Sequence, residues 1–481
     1  MRKTFLVTIL ILVSYNFCLS QNFNDALRLT EPEIITGARA LSMGNAYTAL
    51  SNDFSATLFN PAGLGLIKKS EFSASFSYDS FSNSTTFFNR KEDFSNNITK
   101  LSELSFALPL PTIRGSFVLA FGYNQQKDFN YTMKFNGYNP NNNSLIQDLT
   151  NYNDDIAYKL VLSYPVYDRN NKYLYDTTLI NGKLNQSGKI VQDGGLHNWS
   201  FSAALEIQEN VFVGATLNVI GGDFRRDRQY WEDDINDYYS SNLLLDPLEP
   251  SSRDFKTFYM NDIIKWDVSG WNLNIGLLTK INKVFNFGFS IKTPRFYTIK
   301  ETYFVDAYSD FAQTRFYLDP PIENKLEYKI NTPYELSLGA AFNENNLNVS
   351  FDAKFIDYTQ MEFKSGLDIR DIENNNRDIK ELFRKVINLH AGFEYIIPFV
   401  NVAFRGGFML LPSPYKDDPS DFDKKFITAG LGLNPGSNLS INLAYAYGWW
   451  KDIGDNYGSN LSRTYQDIER SNFILGVRYN F

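Results

Sequence analysis

Apolar side chains fall on every second position through many short stretches of this chain, most plainly in its last eleven residues, Ser471 to Phe481. Phe473, Leu475, Val477, Tyr479 and Phe481 share one face, while Ile474, Gly476, Arg478 and Asn480 take the other. A period of two is the mark of a β-strand. Grease on one face and small or polar groups on the other fit a membrane barrel whose strands turn lipid-side residues out and water-side residues in. Trp271, Leu273, Ile275 and Leu277 alternate in the same way with Asn272, Asn274 and Gly276. So do Ile441, Leu443, Tyr445, Tyr447 and Trp449 with Asn442, Ala444, Ala446 and Gly448.

Strand-like segments fall near 70–82, 100–110, 115–127, 199–208, 211–222, 264–279 and 283–305. Others fall near 325–342, 346–358, 386–397, 399–411, 424–434, 438–450 and 471–481, about fourteen in all. An even number is what a closed single-chain bacterial barrel requires. The connections carry separate information. Short links at 109–114, 209–210, 280–282, 343–345, around Pro398 and at 435–437 take turns with long ones. The long links are 83–98, 128–198, 223–263, 306–324, 359–385, 412–423 and 451–470. Tight periplasmic turns and long external loops give this order, whereas a water-soluble sandwich supplies no reason for it. The expected fold is therefore an all-β transmembrane antiparallel barrel, residues 70–481, with the N-terminal segment and Phe481 both on the periplasmic side. Pro294 cannot donate to a ladder, so 283–305 is expected to be bent or split. The stretch 154–164 is assigned to an external loop with helical character, because counting it as a strand would break the parity. The loops 128–198 and 223–263 are long enough to hold structure of their own and cap the pore.

Composition agrees with this reading. Aromatic residues make up 16% of the chain, with Tyr 30 and Phe 41, and rings concentrate at the two interfaces of a barrel. A mean hydropathy of -0.32 argues against helical spans but not against strands, half of whose side chains face the lumen. Residues 1–20 read as an export signal: Arg2 and Lys3, an apolar run from Phe5 to Val13, then Cys18-Leu19-Ser20 before Gln21. The run is too short for a membrane-spanning helix. Phe17 is too large for the residue before a lipidated cysteine, so the processed chain keeps no cysteine and no disulfide. Losing Arg2 and Lys3 takes the formal charge of -8 down to -10. No basic stripe remains, so nucleic acid is not an expected partner.

Catalytic chemistry finds little to work with. His197 and His390 are the two histidines, and no nucleophile elbow, His-Glu-x-x-His pair or cysteine cluster occurs. A hydrolase would have to combine His390 with a lumenal serine. No cofactor, no metal and no enzymatic activity are expected.

Residues 37–65 break the alternation. Small residues dominate, and Asn60 is placed to cap the turn that Pro61 opens, because its side-chain oxygen accepts a backbone N–H and proline tolerates a first helical position. Gly63 and Gly65 allow tight approach. A plain surface turn is the simpler alternative; a compact small-residue insert within a tube is the sharper one.

Here the chain resembles the FadL/TodX family of outer-membrane transporters for long-chain fatty acids and other hydrophobic compounds. The resemblance rests on Gly37-Ala38-Arg39-Ala40, Met43-Gly44-Asn45-Ala46 and Asn60-Pro61-Ala62, the last matching that family's hatch motif. It extends to Ile291-Lys292-Thr293-Pro294, Pro333-Tyr334-Glu335-Leu336 and Phe404-Arg405-Gly406-Gly407-Phe408, and to the late Thr428–Gly432 and Leu443–Tyr447 segments. It implies a fourteen-stranded barrel in the cell outer membrane, plugged by an N-terminal hatch, about residues 21–69. It also implies a passive path: external loops catch a hydrophobic, fatty-acid-like ligand, the hatch shifts, and the ligand leaves sideways into outer-membrane lipid beside the third strand. Gly115 or Gly122 is a candidate for the pairing defect such a wall gap needs, with an ordinary strand glycine as the alternative at each. The 21–36 stretch and the Asn-rich 128–198 loop depart from the family pattern.

Strand phase places Asn388, His390 and Glu394 inward, with Arg405 across the turn at Pro398. Arg405 could hold a ligand carboxylate in its planar fork, or simply pair with Glu394 as lumen charges do. Lys292 and Arg478 are inward as well. The protein is expected to act as a monomer, inserted by the barrel-assembly machinery through the strand that ends at Phe481. A second branch of the same superfamily serves protein secretion, so a secretion-accessory shuttle is the competing functional reading.

Overall fold

Fourteen antiparallel strands follow one another around a closed sheet, with strand 1 paired to strand 14 from Glu71↔Asn480 to Thr86↔Tyr465. The computed structural model describes residues 22–32, 37–151, 155–240, 244–246, 249–282, 284–434, 438–457 and 461–481. The expected export signal, 1–20 with Cys18, and the Pro435-Gly436 turn lie outside the described residues. Strands 1 to 7 are Glu71–Phe87, Arg90–Leu110, Phe117–Asp128 continued by Tyr131–Tyr138, Asn185–Gln208, Val211–Asp233, Phe255–Ile281, and Phe285–Lys292 continued by Phe296–Phe311. Strands 8 to 14 are Ile322–Asn331 continued by Glu335–Glu344, Leu347–Asp357, Lys385–Ile397, Val402–Leu411, Lys424–Leu433, Leu439–Asp455 and Arg463–Asn480.

The alternation explains the wall. On strand 6, Trp271, Ile275 and Leu277 are exposed on the outside while Asn272 and Asn274 are buried within. Outward Phe76, Leu338 and Phe351 belong to the same apolar belt, at 55%, 61% and 61% exposure. No helix among the described residues is long and apolar enough to cross a membrane; the crossing is made by strands.

Above the belt the polarity inverts while the pleat continues. Past Gly270, Val268, Trp266 and Ile264 point inward and are buried, and Asp267 and Lys265 point outward. Water outside and packed protein inside reverse the chemistry of each face. This corrects several expected long loops. Residues 83–98 form strand, joined by a two-residue turn at Phe88-Asn89 with φ 43° and 63°. Strands also extend through much of 128–138 and 185–198, 223–233, 255–263 and 451–470.

What remains of the external loops is compact. Helices α3 (Leu145–Asn151) and α4 (Asp155–Lys159) fold over strands 3 to 7 with the short strands Tyr164–Tyr167 and Tyr173–Thr177. Ile146, Leu160, Phe135, Tyr230, Phe255 and Phe258 form their common core. Buried Glu232 accepts the Leu145 N–H at 2.7 Å, a helix-start amide with no partner in its own turn. Helix α5 (Ile369–Leu382) lies in the connection from strand 9 to strand 10, its Ile379 packed with Phe363 of the short strand Glu362–Ser365.

Strand 7 is split at Pro294, as expected, and strand 8 breaks beside it at Pro333. Hydroxyls substitute for the missing ladder bonds: the Leu273 N–H donates to Thr293 Oγ1 at 3.0 Å, and the Arg295 N–H to Thr332 Oγ1 at 2.9 Å.

Candidate functional site: a plugged lumen with two compartments

The N-terminal segment lies inside the barrel. Helix α1 (Phe23–Thr30) starts with a capping box, Asn22 accepting the Asn24 N–H at 2.9 Å and Asp25 accepting the Asn22 N–H at 3.1 Å. Helix α2 (Ala38–Ser42) and 3-10 turns at Phe54–Thr57 and Pro61–Leu66 follow. Asn60 caps the last of these, its Oδ1 accepting the Ala62 N–H at 3.2 Å with Pro61 in the first helical position. The same amide donates to the Thr48 carbonyl at 2.9 Å and the Leu277 carbonyl at 3.0 Å. One side chain therefore stitches the turn to the segment and the segment to strand 6. Ala62 is fully buried beneath Phe212 and Leu278.

Three in-register glycine pairs make room for this backbone. Gly214 faces Gly276, Gly288 faces Gly339, and Gly392 faces Gly407 across neighbouring strands. A methyl group on Gly276 would stand 1.9 Å from Asn60 Oδ1, and one on Gly392 2.1 Å from the Met43 carbonyl. Side-chain and backbone hydrogen bonds close the junction. Asp352 accepts the Tyr47 and Thr48 N–H groups at 2.8 and 2.7 Å, His390 Nδ1 donates to the Gly44 carbonyl at 2.9 Å, and Gly44 N–H donates to Thr428 Oγ1 at 3.0 Å.

Arg405 faces inward, and its guanidinium is engaged with protein. It meets Glu394 at 2.6 Å, and Glu394 takes Arg39 of α2 through both oxygens, at 3.0 and 2.8 Å. Arg405 also donates to Asn442 at 2.8 Å, and its side chain is 5% exposed. Arg39 reaches on to Tyr47 and Asn52. The arrangement is a buried Arg–Glu–Arg junction between segment and wall, with Asn388 and His390 on the same inner face as Glu394.

Above this junction the lumen is solid on one side and hollow on the other. Leu27 and Leu29 of α1 pack with Phe224, Trp266, Ile299 and Tyr328 of strands 5 to 8. Arg28 lies over the Phe224 and Trp266 rings at 4.8 and 5.3 Å and pairs with Asp25 at 2.5 Å. Burial lifts the Asp25 carboxyl from 3.8 to about 6, against the pull of Arg28. The hollow side is an open chamber beneath the loops of strands 11 to 14. Its lining mixes Phe81, Tyr131, Phe426, Trp450 and Ile468 with charges of both signs, among them Lys424 paired to Glu31 and Arg470 paired to Asp79. A smaller cavity lies between Pro32 and the inserted segment 37–67 (the plug), lined there by Asn45, Thr48, Leu58 and Phe59, with Pro32 and Leu411 lining both spaces.

The wall pairing between strands 2 and 3 runs from Leu110↔Phe117 only to Glu103↔Asn124. Beyond it strand 3 carries a bulge at Gln125–Lys127 and continues as Tyr131–Tyr138, paired to strand 4 alone. That continuation lies across the first hairpin, where Asn83 donates to the Thr132 carbonyl at 2.9 Å. Strand 2 from Arg90 to Ser102 is thus left with one partner strand, and Asn130, Tyr131 and Met133 line the chamber at the same place. Gly122 lies below this break, paired with Ser105 and Ser200, and its bare inner face admits the Phe54 ring. Gly115, at φ 68°, lies in the turn between strands 2 and 3.

No family model and no curated protein sequence matches the chain. Solved structures match its backbone. A Pseudomonas aeruginosa FadL homologue superposes at TM-score 0.59 and 13% identity, over 94% of this chain and 100% of that one. The P. putida toluene transporter TodX does so at 0.54 and 12%, over 93% and 99%. The chain has the FadL/TodX fold. The CymD monoaromatic hydrocarbon channel shares it as well, at 0.52 and 12% over 94% and 99%. The resemblance implies a pairing defect beside strand 3; its position at Gln125–Asn130 and the glycine pairs are what reading the sequence missed. The pairs become visible only once strand register is known, and the strand 3 break is signalled by nothing stronger than Asp128-Phe129-Asn130 interrupting a strand pattern.

Proposed function

We propose that this protein is an outer-membrane channel for hydrophobic small molecules, fatty-acid-like in class, which enter the upper chamber and leave through the wall between strands 2 and 3. The observation that carries this reading is the coincidence of chamber and pairing break at Asn130–Met133. Apolar patches beside charged and polar groups suit an amphiphile, whose tail gains free energy by leaving water without any nucleotide. Release through the wall leaves the glycine-packed plug seated, and the moving part is then α1. Its end is tied to both sides of the chamber, Lys127 donating to the Glu31 carbonyl at 2.9 Å and Lys424 pairing with the Glu31 carboxylate at 2.9 Å. The protein acts as a monomer, placed by the barrel-assembly machinery through the strand ending at Phe481.

The test is uptake of labelled oleate by cells carrying the wild type or Glu31→Cys/Lys424→Cys. Bridged by a bifunctional methanethiosulfonate that replaces the lysine–glutamate span, α1 is locked and uptake drops to background; dithiothreitol restores it. Wild-type uptake no higher than that of cells lacking the protein would overturn the reading, and undiminished uptake in the variant with its bridge confirmed by mass would overturn the role of α1.

A further inference from the structure

The alternation that packs the core above the belt also sets a pattern on the outer face of the same strands. Tyr230, Phe258, Met260 and Ala307 point inward into that core, so Trp231 of strand 5, Tyr259 of strand 6 and Tyr308 of strand 7 point outward. The short strand Arg315–Tyr317 pairs with strand 7 and adds Tyr317. All four are opposite one another in register: Trp231↔Tyr259, Tyr259↔Tyr308 and Tyr308↔Tyr317. Neighbouring ring centres lie 5.1, 5.0 and 6.3 Å apart. Tyr317 is exposed and the other three are half-buried.

This row is not an interfacial girdle. Aromatic residues gather where a barrel meets the headgroups, but at about 3.3 Å per residue Tyr259 stands roughly 36 Å along strand 6 from Gly270, where the belt ends. Outward Asp267 and Lys265 lie between them. Aromatic pairs across strands also stabilise a sheet, yet pairing alone does not account for what flanks these rings.

Hydrogen-bonding groups edge the row on both sides. Asp233, Thr257, Asp310 and Arg315, each two residues along its strand and so on the same face, form one parallel row in register. Gln229, Asn261 and Asp306 form the other. Thr257 Oγ1 donates to Asp233 at 2.9 Å, and Arg315 donates to both oxygens of Asp310 at 2.5 and 2.7 Å. The guanidinium is thereby held over the Tyr308 ring at 4.3 Å, where it closes one end of the row. A sugar ring has the matching layout, with C–H groups on its faces and hydroxyls around its rim. The negative face of an aromatic ring attracts C–H groups polarised by neighbouring oxygens, and carboxylates and carboxamides accept from hydroxyls.

Charge chooses among glycans. Asp233, Asp306 and Asp310 stand in the two edges against Arg315, while Lys189, opposite Gln229, is turned to the Phe94 ring at 5.1 Å. Like charges set face to face are costly, so uronic acids and the phosphorylated core of lipopolysaccharide fit poorly. Ring spacing chooses the linkage. The 5.1 and 5.0 Å steps are close to the advance per sugar of an extended β-1,4 chain, whereas an α-1,4 chain coils away from a straight row.

We propose that this row is a docking site for a neutral β-1,4-linked glycan outside the cell. The chain lies across strands 5 to 7, its sugar faces on the rings and its hydroxyls against the flanking acids and amides. The site goes beyond the channel reading and does not depend on it.

The probes are cellohexaose and mannohexaose, titrated by calorimetry into the purified full-length protein in a polyoxyethylene detergent, which carries no sugar. Saturable binding of at least one is expected, at least tenfold tighter than maltohexaose, hexagalacturonate or purified lipopolysaccharide. Tyr259→Ala/Tyr308→Ala is expected to weaken it at least tenfold, and Tyr259→Phe/Tyr308→Phe, which keeps the rings, to retain most of it. Should the alanine pair fail to fold, Tyr317→Ala alone serves, with a several-fold loss expected. No saturable binding of either probe, equal or tighter binding of lipopolysaccharide, unchanged affinity in a folded alanine variant, or a dimer that the alanine variant dissolves would each overturn the proposal. Oleate uptake by the wild type depends on none of these outcomes, so failure of this site and failure of the channel reading are told apart.

Discussion

Gly392 and Gly407 face each other across strands 10 and 11, and the Met43–Gly44 turn fills the space where their side chains would be. The wall and the plug are therefore fitted through backbone, and side chains larger than hydrogen are excluded from the contact. Gly392→Val is expected to push the turn out at a cost of about 1–3 kcal/mol, the range for overpacking a tight junction. The barrel should still form and show its heat-dependent shift on gels, while single-channel conductance in planar bilayers rises. Conductance at the wild-type level in a folded variant would show that the turn has another seat.

The Arg39–Glu394–Arg405 junction gives a second prediction. Glu394→Gln leaves two buried guanidiniums without their shared counter-charge, and breaking a buried pair in this way costs about 3–5 kcal/mol. Thermal unfolding in detergent should begin at a lower temperature, and protease should reach the N-terminal segment sooner. Arg405→Gln should be milder, because Arg39 still neutralises Glu394. Oleate uptake by Arg405→Gln should stay near wild type, since the guanidinium is occupied by protein; a selective loss of uptake would restore Arg405 as a ligand contact.

Asn60→Ala removes the cap on Ala62 and two bonds to carbonyls at once. A lost cap costs about 1 kcal/mol, and a buried carbonyl left unpaired costs about 1–3 kcal/mol more. Hydrogen exchange of residues 58–67 should quicken while exchange in strands 12 to 14 does not. Uniform quickening would mean that Asn60 supports the barrel as a whole.

These three sites differ in how far the sequence reveals them. Asn60 is legible because capping is local: the cap and its amide are two residues apart. Glu394 and Arg405 are legible as neighbours because a tight turn joins their strands, yet Arg39 stands 355 positions from Glu394 and nothing in the pattern links them. The strands are legible where lipid enforces one rule. On strand 6 the apolar set changes from odd to even positions at Gly270, so Val268, Trp266 and Ile264 read as a loss of pattern and the strand looks shorter than it is.

Docking of α1 is expected to depend on pH. Released into water, Asp25 has its ordinary value near 3.8; docked, burial raises it to about 6 against the pull of Arg28, with Glu301 adding to the rise. A carboxyl raised by docking binds its proton more readily in the docked state. Its contribution is present in full below about pH 4 and is lost as pH rises through 6. A fluorophore at position 24 should therefore report more release at pH 7 than at pH 4.5, and Asp25→Asn should flatten the difference. An opposite slope would mean that Glu31, whose carboxyl is held below its ordinary value by Lys424 and Lys127 despite burial, outweighs Asp25.

The reversal on strand 6 can be tested directly. Ile275→Arg, on the lipid side, should cost about 2–4 kcal/mol at mid-membrane depth. Lys265→Leu, ten residues further up and exposed to water, should change stability by no more than about 0.5 kcal/mol. Equal costs, measured by urea unfolding in vesicles, would place the membrane boundary elsewhere.

That reversal divides the molecule into two solvent territories along single strands. Its base answers to the bilayer and has little freedom to vary, because each outward position must remain oily. Its crown, stacked and capped like an ordinary water-soluble domain, turns its apolar side chains inward and meets water outside, so its surface positions tolerate polar substitution that the base does not.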